Sequence, residues 1–404
     1  MNTKNIIADF PSLNQKIRGK PVIYLDSACT TLRPKQVIDT MDEYYEKYPA
    51  CAGRSVHAFG AEVTEKYNNA RDTIAKFINA KRSGEIIFTR NTTEGINLVA
   101  NSLNLAKGDI VLTTDKEHNS NLLPWQLLSK RRGIRHEIVF SNTDMTFNME
   151  NFENTMDDNV KLVSMVHTSN LDGYTIPAEK IIKLAHDHGA LVMLDCAQSV
   201  PHKSIDVKKM DVDFIAFSGH KMLGPSGMGV LYGKYDLLEK MDPFMIGGDT
   251  VKNSTYDSFT LLDPPEKFEA GLQNYAGAIG FAAAAEYLRK VGMKNISSHE
   301  LEINEIIYEG IKGINGSSII GPSDSELRGG ITSFNISGMD FHDIAVMLNE
   351  SANIMVRSGQ HCVHSWFNAH KIKGCVRSSL YLYNTKDDAR VLVENLEKIS
   401  RLAK

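Results

Sequence analysis

Ala190-Leu-Val-Met-Leu-Asp195-Cys-Ala-Gln198, followed by Asp213-Phe-Ile-Ala-Phe-Ser218-Gly-His-Lys221, holds two apolar runs that each end at a polar group. Short apolar runs bounded by turn residues read as strands buried on both faces. Outward from this pair the rhythm continues. Residues 85–88, 109–112, 161–166 and 227–233 read as strands, and 93–103 and 177–188 as helices. The second helix has Pro177 just inside its start and Gly189 just past its end. Upstream, residues 22–25 read as a short strand, Asp26-Ser-Ala28 as a turn, and helical periodicity follows Pro34 and runs again over 63–78. Alternating strands and helices predict an α/β fold with a mostly parallel sheet covered on both faces.

Asp195 and Lys221 would then lie at neighbouring strand ends, where open α/β sheets bind ligands. The pair suits pyridoxal 5'-phosphate (PLP). A lysine holds the cofactor aldehyde as a Schiff base, and a carboxylate keeps the pyridine nitrogen protonated so that the ring draws electrons. Each residue singly would equally fit a structural Asp–Lys pair.

The chain of 404 residues is long enough for two domains. A hydrophobic content of 42%, a charged content of 23% and a net charge of −4 are ordinary for a globular enzyme. They give no footprint for nucleic acid or an anionic membrane. No segment has the apolar length of a signal-peptide core or a bilayer span. The five cysteines, Cys29, Cys51, Cys196, Cys362 and Cys375, are scattered and contain no Cys-x-x-Cys pair. That does not suit a disulfide framework or a zinc ribbon, and it fits a reducing cytoplasm. Cys29 and Cys196 follow apolar runs and are expected to be packed.

Past about residue 262 the pattern changes. Residues 276–290 and 298–312 read as helices, the second opened by Ser297 and Glu300 spaced as a capping box. Strand-like runs at 331–336 and 354–356, a helix at 344–350 and a terminal helix after Asp387 suggest a smaller α+β domain. The expected division is a large domain over 21–265 and a small one formed by 1–20 and 266–404.

Three further clusters carry chemistry. Arg90-Asn-Thr92-Thr93-Glu-Gly95 lies between a strand and a helix, where two hydroxyls and backbone N–H groups suit a phosphate; the plainer reading is an N-cap. His118 follows a strand, where an imidazole can stack on a ring and exchange protons, although many loop histidines do neither. Arg357-Ser-Gly-Gln-His361-Cys362 sets a cysteine in a polar, glycine-loosened turn, favouring thiolate character over inert packing. Arg377 opens a strand-like run and suits two-point grip of a carboxylate.

Ser218-Gly-His-Lys221, Asp195-x-x-Gln198, Glu117-His118, Thr92-Thr-Glu-Gly-Ile-Asn97, Phe268-Glu-Ala-Gly271 and Arg357-x-Gly-x-His-Cys362 together resemble the cysteine desulfurases, class V enzymes of PLP fold type I. The likeness runs from about residue 20 to the C-terminus, and the short span from Cys362 to Arg377 resembles the group II, SufS-like branch. It implies a seven-stranded, mostly parallel sheet in the large domain. It also implies conversion of L-cysteine to L-alanine with sulfur passing to an enzyme cysteine. By resemblance, Lys221 carries the cofactor, Asp195 pairs the ring nitrogen, Gln198 bonds the ring hydroxyl and His118 stacks on the ring. Thr92, Thr93, Ser218 and His220 hold the phosphate. Asn170 and Arg377 fix the substrate carboxylate, and Cys362 takes the sulfur as a persulfide. The same resemblance implies a cytoplasmic homodimer that hands sulfur to an acceptor protein of the SufE or SufU kind for iron–sulfur cluster or related cofactor assembly. Selenocysteine lyase, another PLP reaction on this fold, or a non-catalytic docking role remain alternatives. The chain departs from the pattern at Asn119 and Gln360, where histidine is frequent. It departs also at Tyr275, where relatives place a threonine reaching the partner's phosphate, and at Cys51.

Overall fold

The computed structural model describes residues 3–402. Seven strands form the central sheet: β1 (Ile86–Thr89), β2 (Ile110–Thr114), β3 (Arg135–Val139), β4 (Val160–Val166), β5 (Leu191–Asp195), β6 (Phe214–Ser218) and β7 (Gly229–Gly233). Their order is β1-β7-β6-β5-β4-β2-β3. β2 to β6 pair in parallel, whereas β7 is antiparallel to both its neighbours. The sheet is therefore mostly parallel, as expected. Along β6, Ile215 and Phe217 enter one core, and Phe214 and Ala216 enter the other. That period of two with both faces apolar demands a helical layer on each side.

Helices α1 (Lys35–Lys47) and α2 (Ala58–Phe77) precede the sheet, and α3 (Thr92–Ser102), α4 (Asn119–Arg132) and α5 (Ala178–Asp187) connect its strands. Their ends follow local chemistry. Asn91 caps α3 by accepting the Glu94 N–H at 3.0 Å. α4 ends in Lys130, Arg131 and Arg132, which face its negative pole, and stops at Gly133 with φ +74°.

Beyond the sheet come α6 (Tyr275–Val291), α7 (Met293–Lys312), α8 (Phe341–Ala352) and α9 (Lys386–Ser400). A four-stranded antiparallel sheet accompanies them, in the order β8 (Ser317–Ile320), β9 (Ile331–Ile336), β11 (Cys375–Ser379), β10 (Arg357–Gly359). Ile303, Ile307, Phe334, Leu348, Val376 and Leu392 form its separate core.

Packing does not divide the chain at residue 265. α6 lies on α1 and α2, and its Ala278, Phe281 and Ala285 belong to the large core. The small core begins instead with α7. Ile23 and Leu25 belong to that small core, and the strand Ile23–Tyr24 pairs with Ile354–Met355. The N-terminal segment also splits: Asp9 accepts the Tyr287 hydroxyl of α6 at 2.8 Å, while Lys20 donates to Ser351 O in the small domain at 2.6 Å. Residues 1, 2, 403 and 404 of the expected small domain lie outside the described residues.

The expected capping box at Ser297 and Glu300 is also absent. α7 begins at Met293, and the Glu300 carboxylate is buried against His202 Nδ1 at 2.8 Å. A capping box does open α9, between Thr385 and Asp388. No described helix is long and apolar enough to cross a membrane.

Candidate active site

The carboxyl ends of β1, β2, β4, β5 and β6 surround one cavity of about 230 Å³, closed from the other side by the small domain. It is lined by every residue singled out for a site: Thr92, Thr93, His118, Asn170, Asp195, Gln198, Ser218, His220, Lys221, Cys362 and Arg377. Residues from the whole length of the chain meet there because parallel strands all present their carboxyl ends at one edge.

The floor is Asp195 and Lys221. The Asp195 carboxylate accepts the Ala197 N–H at 3.0 Å, and burial pushes its pKa up. Burial pushes the Lys221 amine down, against the pull of Asp195. Gln198 donates to Ala28 O at 2.7 Å, while its buried Oε1 has no partner.

One wall is the start of α3. Ser218 Oγ accepts the Thr92 N–H at 2.8 Å and lies 2.6 Å from Thr92 Oγ1, and Thr93 Oγ1 lies 2.7 Å from Ser120 Oγ. β7 makes this approach possible at Gly229, where a Cβ would stand 2.6 Å from the Asn91 Cα.

His118 caps α4: its Nδ1 accepts the Ser120 N–H at 3.1 Å. Burial, with Lys221 and Arg377 nearby, pushes this imidazole down to about 3. The ring is neutral at pH 7, and since Nδ1 accepts, its proton sits on Nε2. The preceding Glu117 fixes the turn, accepting from Thr114, Val166 and Asn121 at 2.7–3.1 Å.

The small domain brings two arginines and the thiol. Arg377 on β11 is buried; its Nη1 donates to Asn170 O at 2.9 Å and its Nε has no partner. Asn170 Nδ2 donates to His361 O at 2.8 Å, leaving Oδ1 unpartnered. Asp26 lies between the guanidinium groups, 3.1 Å from Arg357 Nη2 and 3.6 Å from Arg377 Nη2. Cys362 is exposed, with φ +59° after His361 at +48°, a tight left-handed turn pinned by the Asn119 N–H donating to Cys362 O at 2.7 Å.

Two expectations are corrected. His361 does not attend Cys362: its Nε2 lies 3.1 Å from the buried Cys375 Sγ, and burial holds the ring neutral, with a pKa near 2. Cys29 is not packed in a core but lines the cavity. Tyr275 is buried, edge-on to the Tyr67 ring at 5.1 Å. Asp26, which sets both arginines, belongs to no motif. Its only signal was a position in the turn after the first strand.

Among known proteins, the family described as "Aminotransferase class-V" matches residues 23–392. A protein of Halalkalibacterium halodurans named "Probable cysteine desulfurase" is 42% identical over 402 residues, covering 98% of each chain. One of the same name from Synechocystis is 40% identical over 397 residues, covering 97% of this chain and 94% of its own. The apo cysteine desulfurase of Thermococcus onnurineus superposes with a TM-score of 0.94 at 37% identity over 98% of both chains. The Escherichia coli cysteine desulfurase CsdA superposes at 0.92 with 31% identity over the whole of both. The chain belongs to the class-V aminotransferase family, and within it to the cysteine desulfurases.

Proposed function

We propose that this protein is a PLP-dependent cysteine desulfurase that converts L-cysteine to L-alanine and stores the sulfur on Cys362 as a persulfide. One observation carries the reading: an exposed thiol is held by a strained turn at the same cavity as Lys221, Asp195 and Arg377.

The cavity suits PLP in its unpartnered groups as well as in its charges. Gln198 Oε1 is buried without a partner where a ring hydroxyl would need an acceptor. Thr92, Thr93, Ser218 and His220 gather at the start of an eleven-residue helix, a ready site for a phosphate. Asp195 supplies a carboxylate for a ring nitrogen, and His118 a neutral imidazole for its face. Bound there, the cofactor supplies an electron sink at the substrate α-carbon.

The protein's residues do the rest. Arg377, with its free Nε, grips the carboxylate of the amino acid, and Asn170 offers its free Oδ1 as an acceptor to an N–H beside it. Burial favours the neutral form of the Lys221 amine, which can then take a proton from the α-carbon and return it. The Cys362 thiolate attacks the substrate sulfur: an S–S bond forms, the substrate C–S bond breaks, and the carbon skeleton takes up a proton to leave as alanine.

The short loop before β11 supports the group II, SufS-like subtype, with an acceptor protein collecting sulfur for iron–sulfur or related cofactors in the cytoplasm. A homodimer is supported by exposed apolar side chains on two segments tied by the Arg54–Asp249 ion pair, among them Val56, Phe59, Ile246, Tyr256, Phe259 and Leu272. The test is to incubate the PLP-loaded protein with L-cysteine, quantify alanine and map the persulfide by mass spectrometry. Alanine with sulfur on Cys362 is expected; no alanine, or a first persulfide elsewhere, overturns the reading.

A further inference from the structure

Cys362 is not the only thiol at the cavity. Cys29, three residues past Asp26, lines it too, and among the described residues no other cysteine does. Cys196 and Cys375 are buried, which pushes both thiols up, Cys375 to about 12. Cys51 is exposed away from the cavity.

Cys29 is also held in place. Arg357 Nη2 donates to its Sγ at 2.8 Å, and the same guanidinium is clamped by the Asp26 carboxylate through Nε and Nη2 at 3.1–3.2 Å. Arg357 opens β10, the strand that leads through Gly359, at φ +123°, into the Cys362 turn. One side chain thus fastens Cys29 to the base of the loop that carries Cys362. The chamber the two thiols share has buried polar atoms without partners, Asn170 Oδ1, Gln198 Oε1 and Arg377 Nε, so it is built for a polar occupant. Cys29, Cys362 and Lys221 all line this one cavity.

We propose that Cys29 is a second sulfur-accepting thiol of this site, taking the outer sulfur from the Cys362 persulfide and freeing Cys362 for another turnover. The inference rests on the desulfurase reading above. Cys29 Sγ attacks the outer sulfur; a Cys29 S–S bond forms, the Cys362 S–S bond breaks, and Cys362 departs as thiolate. The proton given up by the Cys29 thiol balances the one taken by Cys362. The exchange is redox-neutral and consumes no other reactant. Cys29 is only partly exposed, so sulfur stored there is better screened from solvent than on Cys362.

The test uses the reduced, PLP-loaded protein with L-cysteine and neither acceptor nor reductant. Samples are alkylated over time, and each cysteine peptide is mapped for added sulfur while alanine is counted per subunit. The expected course is sulfur on Cys362 first and on Cys29 afterwards, with an alanine burst about twofold larger than in Cys29→Ser, which has a single acceptor. In Cys362→Ala, Cys29 should stay unloaded. A Cys29 peptide that remains a plain thiol beside fully loaded Cys362, or a polysulfide growing on Cys362 alone, overturns the relay. Loading of Cys29 in Cys362→Ala overturns its order. Failure of the desulfurase reading looks different: no alanine and no sulfur on Cys362, which overturns both.

Discussion

His361 Nε2 lies 3.1 Å from Cys375 Sγ, so the imidazole next to the exposed thiol is held by a buried sulfur. Its Nδ1 is buried without a partner, and nearby Arg377 and Arg357 add to the burial that keeps it uncharged. The pair belongs to the scaffold of the Cys362 turn.

Stability should therefore carry a histidine signature. The folded pKa of His361, about 2, lies below its unfolded value near 6.5, so below pH 6.5 the unfolded chain binds the extra proton. The contribution is fully present above pH 6.5 and is lost as the pH falls toward 2. The slope is about 1.4 kcal/mol per pH unit per proton. Urea unfolding between pH 5 and 7 should show wild-type stability falling more steeply on acidification than in His361→Gln, which keeps a donor toward Cys375. Parallel slopes would mean that His361 titrates freely in the folded protein.

Lys221→Ala should remove both cofactor attachment and turnover. The measurements are the visible absorbance of the bound cofactor and alanine release; unchanged turnover would leave the amine without its assigned role.

Asp195→Asn keeps the shape of the floor but removes its charge. Cofactor should still bind, with alanine formation slower by about two to four orders of magnitude. A rate near wild type would assign the ring nitrogen to another group.

Asp26 sets two guanidinium groups at once. Asp26→Asn should raise KM for cysteine about tenfold while kcat changes less, since it loosens the grip on the carboxylate and leaves the floor intact. Steady-state kinetics separate the two; a loss confined to kcat would place Asp26 in the chemistry.

Among single replacements, Cys362→Ala should abolish alanine formation under reducing conditions, and Cys196→Ala and Cys375→Ala should act mainly on stability. Wild-type turnover in Cys362→Ala would remove it as the nucleophile.

The sheet was legible because β5 and β6 are apolar on both faces and end in chemistry-bearing groups. β3 was not: it opens with Arg135, His136 and Glu137, lies at the sheet's edge and is buried only at Val139. Ser297 and Glu300 had the spacing of a cap, yet Glu300 found a buried partner in His202, and tertiary pairing overrode the local pattern. Cys29 followed an apolar strand and looked like core, but the turn at Asp26 carries it to the cavity. Asp26 was invisible because its importance comes from residues more than 300 positions away.

The approach of β7 to Asn91 has a consequence for how this sequence can drift. At Gly229 main chain meets main chain, and even a methyl group would stand 2.6–2.9 Å from Asn91 backbone atoms. No rotamer change relieves such a contact, so a larger residue must displace the start of α3. Position 229 is therefore closed to any side chain. A library randomised there should return a single letter.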